Sequence, residues 1–397
     1  MSNKIYLDYN ATTPCDPKVV DAMLPYFYDH PGNAASRNHA FGWVAEEAVD
    51  KARTQLADLL QVDTKELVFT SGATEAINLA IKGVFEMYHR KGKHIITVET
   101  EHKAVLDTCR KIEKLGGEVT YLPVNQEGHI DLQQLREAIR DTTLLVSVMW
   151  ANNETGLIHP MKAIGEICRE KGVLFFSDAT QAVGKIPAFP KECGVHLMAC
   201  SAHKLYGPKG VGALFVNRRS PRVKLNAQLD GGGHENGMRS GTLNVPAIVG
   251  FGQAAAIAAK QMAQEAQRLA PLRDRLETQL LALLEEVQVN GSTTDRLPHV
   301  SNLSFRFVES EALLMTFNQQ IAVSTGSACT SASLDPSHVL LAMGLSDDLA
   351  HASIRFSLGR FTSEAEVEET IRQLVRGVEQ MRAISPVWEM FKEGRLD

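Results

Sequence analysis

Through its first two-thirds the chain alternates short apolar runs with helical patterns, and this rhythm constrains the fold more than any other feature. "ELVFT" precedes "GATEAINLAIKGVFEMYHR", "HIITVE" precedes "HKAVLDTCRKIEKLGG", and "LLVSVMWA" precedes "HPMKAIGEICREKG". "VLFFSD" and "HLMACS" follow. Strand, helix, strand in this order predicts βαβ units around a mainly parallel sheet with both faces covered. "GVGALFVN" comes too soon after "HLMACS" for a crossover helix, so it is expected to join antiparallel. A helical pattern then runs from about Ala247 to Val287, with a break expected near Pro271. Beyond it, "HVSNLSFRFV" and "ASIRFSLG" read as strands. Asp335 and Pro336 suggest the cap and first position of a helix over "SHVLLAMG". Ser363 and Glu366 form a capping-box pair ahead of "EAEVEETIRQLVRGVEQMRA".

At 397 residues the chain exceeds one ordinary core, so two domains are expected. With 44% apolar and 22% charged residues its composition is that of a soluble globular protein. A net charge of −6, with no dense basic run, argues against direct nucleic-acid binding. No apolar stretch reaches membrane-spanning length, and the start "MSNKIYLDYNATTP" lacks the apolar core of a signal peptide. The six cysteines are scattered, which fits a reducing cytoplasm rather than a disulfide framework.

Ligands of open α/β sheets collect at the carboxyl ends of the strands. After "ELVFT" stand Ser71, Gly72, Ala73 and Thr74 at a helix start, where free N–H groups can seat a phosphate. After the other strands come Glu101 and His102, Asn152 and Asn153, Asp178 and Gln181, then Ser201, His203 and Lys204. Singly, each is unremarkable structure; together they suit pyridoxal 5′-phosphate. A lysine amine forms a Schiff base with its aldehyde, and an aspartate keeps its pyridine nitrogen protonated as part of an electron sink. Lys204 and Asp178 are the candidates for those two tasks. The spacing Cys193, His196, Cys200, His203 could suggest zinc. It lies largely on an apolar strand that could not close four ligands round one ion, so no intrinsic metal is expected.

The segments "YLDYNATTP", "FTSGATEAINLAIKG", "TEHKAVLDTC", "ANNETG", "DATQAVGK", "SAHKLYGPKGVGALFV", "GGGHENGMRSGTLNV", "GSACTSASLDPSHVL" and "IRFSLGRFT" resemble the cysteine desulfurases. These are pyridoxal-phosphate enzymes of fold type I in the class V aminotransferase family, and the housekeeping branch serving iron–sulfur cluster assembly is the most similar. The resemblance implies an α/β large domain with a mainly parallel seven-stranded sheet over residues 15–262. It also implies a smaller α+β domain over 263–397 that carries a cysteine loop, joined by the N-terminal segment 1–14.

At matching positions the resemblance implies a Schiff base on Lys204, with Asp178 at the ring nitrogen and Gln181 and Asn153 near the ring oxygen. His102 would stack on the ring and exchange protons. Ala73, Thr74, Ser201 and His203 would hold the phosphate, helped by Thr242 from a second subunit of a homodimer. Arg355, with Asn153, would bind the carboxylate of L-cysteine. Cys329, alone an ambiguous thiol in a run of small residues, matches the catalytic cysteine, which would take sulfur as a persulfide and leave alanine. The sulfur would pass to an iron–sulfur cluster scaffold or to carriers for tRNA thiolation, and Cys329 could transiently ligate a cluster with the scaffold. A related aminotransferase, or a cysteine or selenocysteine β-lyase, would explain Lys204 and Asp178 but has no use for Cys329. One departure is Ala34, in "GNAAS", where the family carries proline, within a stretch shorter than usual.

Overall fold

The computed structural model of the chain describes residues 4–325 and 335–395. From the N-terminus come β1 (Ile5–Tyr6), α1 (Pro17–Met23), α2 (Pro25–Tyr28), α3 (Ala40–Leu60), β2 (Leu67–Thr70) and α4 (Ala73–Tyr88). Next are β3 (His94–Val98), α5 (Lys103–Lys114), β4 (Glu118–Leu122), α6 (Leu132–Ala138), β5 (Thr143–Ser147), α7 (Met161–Lys171), β6 (Leu174–Asp178), β7 (Leu197–Ser201) and β8 (Gly212–Val216). The long α8 (Val245–Leu283) leads to β9 (Val287–Val289), β10 (Val300–Phe305), α9 (Ser310–Phe317), β11 (Ile321–Ala322) and β12 (Ser324–Thr325). The chain closes with α10 (His338–Ala342), α11 (Asp347–His351), β13 (Ser353–Ser357), α12 (Glu364–Ala383) and α13 (Pro386–Lys392).

Seven strands form one sheet in the order β2-β8-β7-β6-β5-β3-β4. β8 runs antiparallel to both its neighbours, as its short connection from β7 requires, and the other pairings are parallel. Helices cover both faces, so β2, β3, β5, β7 and β8 are buried along their whole length. α5 shows how the faces are covered. Val105, Leu106, Cys109 and Ile112 are buried at helical spacing, while Lys111 and Lys114 occupy the last turn, where cations suit the helix dipole.

A second, antiparallel sheet has the order β12-β13-β10-β9. Its core contains Leu303, Phe305, Ile354 and Phe356 with Val367, Ile371, Leu374 and Val378 of α12. Ile5 and Leu7 belong to this core although they open the chain, because β1 pairs in parallel with β11.

Three features differ from the sequence expectation. α8 continues through Pro271 as one helix of 39 residues. Its first half packs on the larger core through Phe251, Ala254, Ala255 and Ala258, and its second half on the smaller through Leu269, Leu272, Leu276 and Leu280. Burial on both sides of the proline outweighs the one backbone bond that proline removes. The helix after position 335 starts at His338 with Ser337 as its cap, not Asp335. The Ser337 hydroxyl accepts from Leu340 N at 3.2 Å and donates to the buried Glu154 carboxylate at 2.5 Å. Finally, β4 lies at the sheet edge with four of its five residues half-buried, so its apolar signal is weak. The capping box of α12, from Ser363 to Glu366, is present as the spacing predicts.

Candidate active site

The carboxyl ends of β2, β5, β6 and β7, with the head of α5 and the N-terminal segment, enclose a cleft of about 620 Å³. Twelve of the residues named above line it: Ser71, Gly72, Ala73, Thr74, His102, Asn153, Asp178, Gln181, Ser201, His203, Lys204 and Arg355. Thr242 does not line this cleft. It is exposed, in a loop that Arg239 fastens to Glu75 of α4 through a 2.8 Å ion pair. Cys329 lies outside the described residues.

One wall is the N-terminus of α4. Gly72 caps it without any side-chain hydrogen bond, and Glu75 turns back to accept from Ser71 N at 2.8 Å. The Ala73 and Thr74 amides therefore lie at an open helix end, where positive dipole charge favours an anion. β8 passes beneath this turn at Gly212. A Cβ there would stand 2.6 Å from the Gly72 carbonyl carbon and 2.7 Å from Cys200 O, so only glycine fits.

The opposite wall carries the titratable groups. Asp178 Oδ1 accepts from the Thr180 amide at 3.0 Å and from its hydroxyl, which leaves Oδ2 for another donor. His102 caps α5, its Nδ1 accepting from Ala104 N at 3.1 Å, so the neutral ring carries its proton on Nε2. Burial holds its pKa below the ordinary value; Asp178 pulls the other way, and Lys204 and His338 add to the lowering. His203 is pushed down to about 4 by burial and by Lys204 and Lys209, so it is neutral, with Nδ1 at 3.0 Å from Thr12 Oγ1. Lys204 Nζ donates to the carbonyls of Asn10 at 2.5 Å and Ala11 at 2.7 Å.

The turn that follows Lys204 is held by Tyr206, in the left-handed region at φ 64°. Its ring contacts Lys185 Nζ, 4.3 Å from the centroid, and the Arg360 guanidinium at 4.1 Å. Such cation–π contacts favour one ring orientation and so one direction for the turn. Lys185 is buried without a hydrogen-bond partner, and burial pushes its amine down to about 7.

Arg355, on β13 of the second sheet, reaches across into the cleft. Nη1 donates to Asn153 O at 2.9 Å and Nη2 pairs with Asp8 at 2.8 Å, while Nε is buried without a partner. Asn153 Oδ1 is likewise buried and unpartnered. A buried donor and acceptor left open in one cleft carry a desolvation penalty that a bound polar molecule would relieve.

Sequence reasoning missed the roles of Asn10, Ala11 and Thr12, which act largely through backbone atoms; the "YNATTP" motif held them but gave no chemical signal. The zinc spacing dissolves into ordinary structure. His196 Nδ1 accepts from Phe175 N at 3.0 Å, and Cys200 is buried with Sγ 3.8 Å from Ala213 O. Among the described residues, no cluster of three or more His, Cys, Asp or Glu is arranged to hold a metal ion.

A model of the aminotransferase class-V family matches residues 5–370. The cysteine desulfurase IscS of Anaeromyxobacter sp. (strain Fw109-5) is 57% identical over 394 residues, covering 99% of this chain and 97% of the relative. The protein of the same name from Escherichia coli (strain K12 / DH10B) is 55% identical over 396 residues, with 99% and 97% covered. Among solved structures, a NifS-like protein superposes with a TM-score of 0.89 at 35% identity, over 95% of this chain and all 100% of the other. A structure of SspA in complex with cysteine gives 0.79 at 35% identity, over 90% of this chain and 100% of the other.

Proposed function

The chain belongs to the class V aminotransferase family and is a cysteine desulfurase, and from that premise we propose how its cleft carries out the reaction. The cofactor is pyridoxal 5′-phosphate. When bound it supplies an electron sink that weakens first the Cα–H and then the C–S bond of L-cysteine. Lys204 is its covalent anchor, at the end of β7 where the amine meets the cleft. Asp178 Oδ2, the oxygen that Thr180 leaves open, would accept from the pyridine N–H. The Ala73 and Thr74 amides, with Ser201 and neutral His203, hold the phosphate, and Thr242 from a second copy of the chain completes that seat in a homodimer. Gln181 and Asn153 would stand near the ring oxygen, to which their amide nitrogens could donate. The fit is supported by this donor set and by the two open polar atoms in the cleft.

His102 would stack against the ring and present its Nε2–H toward the reacting atoms. Its contact to Ala104 keeps Nδ1 unprotonated, so taking up a second proton requires that contact to open. Arg355 would bind the substrate carboxylate through the N–H groups that Asn153 and Asp8 leave open, the unpartnered Nε among them. The Cys329 thiolate attacks the substrate sulfur. The Cβ–S bond breaks, an S–S bond forms, and L-cysteine plus the Cys329 thiol become L-alanine plus a persulfide. The single observation that carries this reading is the gathering of Lys204, Asp178, His102, an anion seat and Arg355 in one cleft.

The same reading assigns residues 1–14 to the unit formed by 263–397, with 15–262 as the larger domain; Ile5 and Leu7, packed in the second core, support it. The acceptors of sulfur are an iron–sulfur cluster scaffold protein and carriers for tRNA thiolation. Cys329 becomes a transient cluster ligand when the scaffold is engaged. The setting is the cytoplasm; no helix among the described residues is long and apolar enough to cross a membrane.

Anaerobic incubation with L-cysteine, followed by mass spectrometry of the Cys329 peptide, tests the proposal. One added sulfur on Cys329, with Cys329→Ala losing turnover but keeping the visible absorption of bound cofactor, is the expected result. Undiminished turnover in Cys329→Ala would reject Cys329 as the nucleophile.

A further inference from the structure

One buried residue of the "YNATTP" motif bonds Asn153, Gln181 and Lys204 of the cleft. Asn10 donates its backbone N–H to Ser357 Oγ at 2.9 Å and its Nδ2 to Asn153 O at 3.0 Å. Its carbonyl accepts from Lys204 Nζ at 2.5 Å and from Gln181 Nε2 at 3.1 Å. Its remaining atom, Oδ1, lies 3.0 Å from His299 Nε2. His299 sits beside the second sheet, where its own carbonyl accepts from Leu358 N at 2.9 Å. An amide oxygen can only accept, so the His299 proton is on Nε2. The ring stays neutral because burial, with Lys185 and Arg273 nearby, holds its pKa well below the ordinary value.

We propose that Asn10, clamped by His299 just ahead of β10, is a positioning residue for Lys204. Its carbonyl, with that of Ala11, accepts from the ε-ammonium whenever this amine is not bonded to the cofactor. The proposal rests on the reading of Lys204 as the covalent anchor. Two carbonyls at 2.5 and 2.7 Å suit an ammonium, which has three protons to donate and nothing to accept with. Both carbonyls lie on a segment pinned on two sides, by Ser357 of β13 and by Thr13 N donating to His203 O at 2.9 Å. The charged and titratable groups around Lys204 are His102 at the head of α5, Asp178 at the end of β6 and Lys185 in the turn beyond. His203 and Lys209 stand on its own segment, and Arg355 on β13 is paired with Asp8. Among the described residues, the Asn10 and Ala11 carbonyls accept from the amine itself.

An ammonium must lose a proton and leave its acceptors before it can attack an aldehyde. Capture of the cofactor by the stripped full-length chain therefore rises with pH, and loosening the carbonyls should move that rise to lower pH. The experiment strips the enzyme with hydroxylamine, adds excess pyridoxal 5′-phosphate, and follows visible absorbance across a pH series. Borohydride reduction and peptide mass spectrometry then identify the lysine that was labelled. Asn10→Ala and His299→Leu are expected to lower the midpoint by about half a pH unit, making capture about threefold faster one unit below the wild-type midpoint. His299→Gln, which keeps a donor near the Nε2 position, should restore the wild-type profile. A purely structural role would lower the plateau rate and leave the midpoint in place, which would overturn the inference. Label on a lysine other than Lys204 would instead overturn the reading on which it rests. If His299→Leu does not fold, Asn10→Ala alone decides.

Discussion

Glu101 is a carboxyl with almost no water near it. Oε1 accepts from Met149 N at 2.5 Å, Oε2 is buried without a partner, and Asp178 stands close enough to repel a second negative charge. Burial first, and then Asp178, pushes its pKa well above the ordinary carboxylate value of 4.5. The folded state thus keeps a proton that the unfolded chain has lost. The stabilisation this gives is complete below 4.5 and is lost as pH rises through the folded-state pKa. Glu101→Gln keeps the shape and removes the titration. Its melting temperature relative to wild type should rise steadily from pH 5 to pH 8; a constant difference in thermal melts would show that Glu101 is not held neutral. At this scale the sequence was legible where the candidate groups are side chains: Lys204, Asp178, His102 and Arg355 stood in motifs and line one cleft. It was silent on Asn10 and Ala11, because a backbone carbonyl leaves no mark on the identity of the residue that carries it.

At the scale of elements, α8 is the clearest departure from sequence expectation. A proline in a helix interior costs about 3 kcal/mol through its missing N–H and the clash with the preceding turn, yet the helix does not stop at Pro271. Pattern alone cannot see that two separate cores grip the two halves. Pro271→Ala should therefore stabilise the chain, by about 1–2 kcal/mol after allowing for the stiffness that proline lends the unfolded state. Denaturant melts would measure this, and a loss of stability would mean that the Pro271 ring itself packs to advantage. β4 stayed hidden for the opposite reason: an edge strand with only Leu122 fully buried lacks the continuous apolar run of its neighbours. The capping box of α12 and the reversed direction of β8 were legible because each follows from chemistry within a few residues.

At the scale of the whole molecule, burial of histidine sets the acid limit. His159 is buried with both ring nitrogens unpartnered and is pushed down to about 4, while His203 is also down to about 4 and His299 lies well below the ordinary 6.5. Between 6.5 and about 4 the unfolded chain takes up protons that the folded chain refuses, so stability falls as pH drops through that window. Replacing His159 with leucine should flatten the acid side of the stability–pH curve by about one proton. An unchanged slope in denaturant melts would show that His159 accepts its proton while folded.

The pairing of Ile5 with Ile321, and of Asn10 with Ser357 and His299, has a consequence in time as well as space. Residues made early find their partners far along the chain. The large sheet can form while synthesis continues, but the segment that receives the Lys204 amine cannot settle until β13 has emerged. A growing chain is thus kept from seating the Lys204 amine until both sheets have been made.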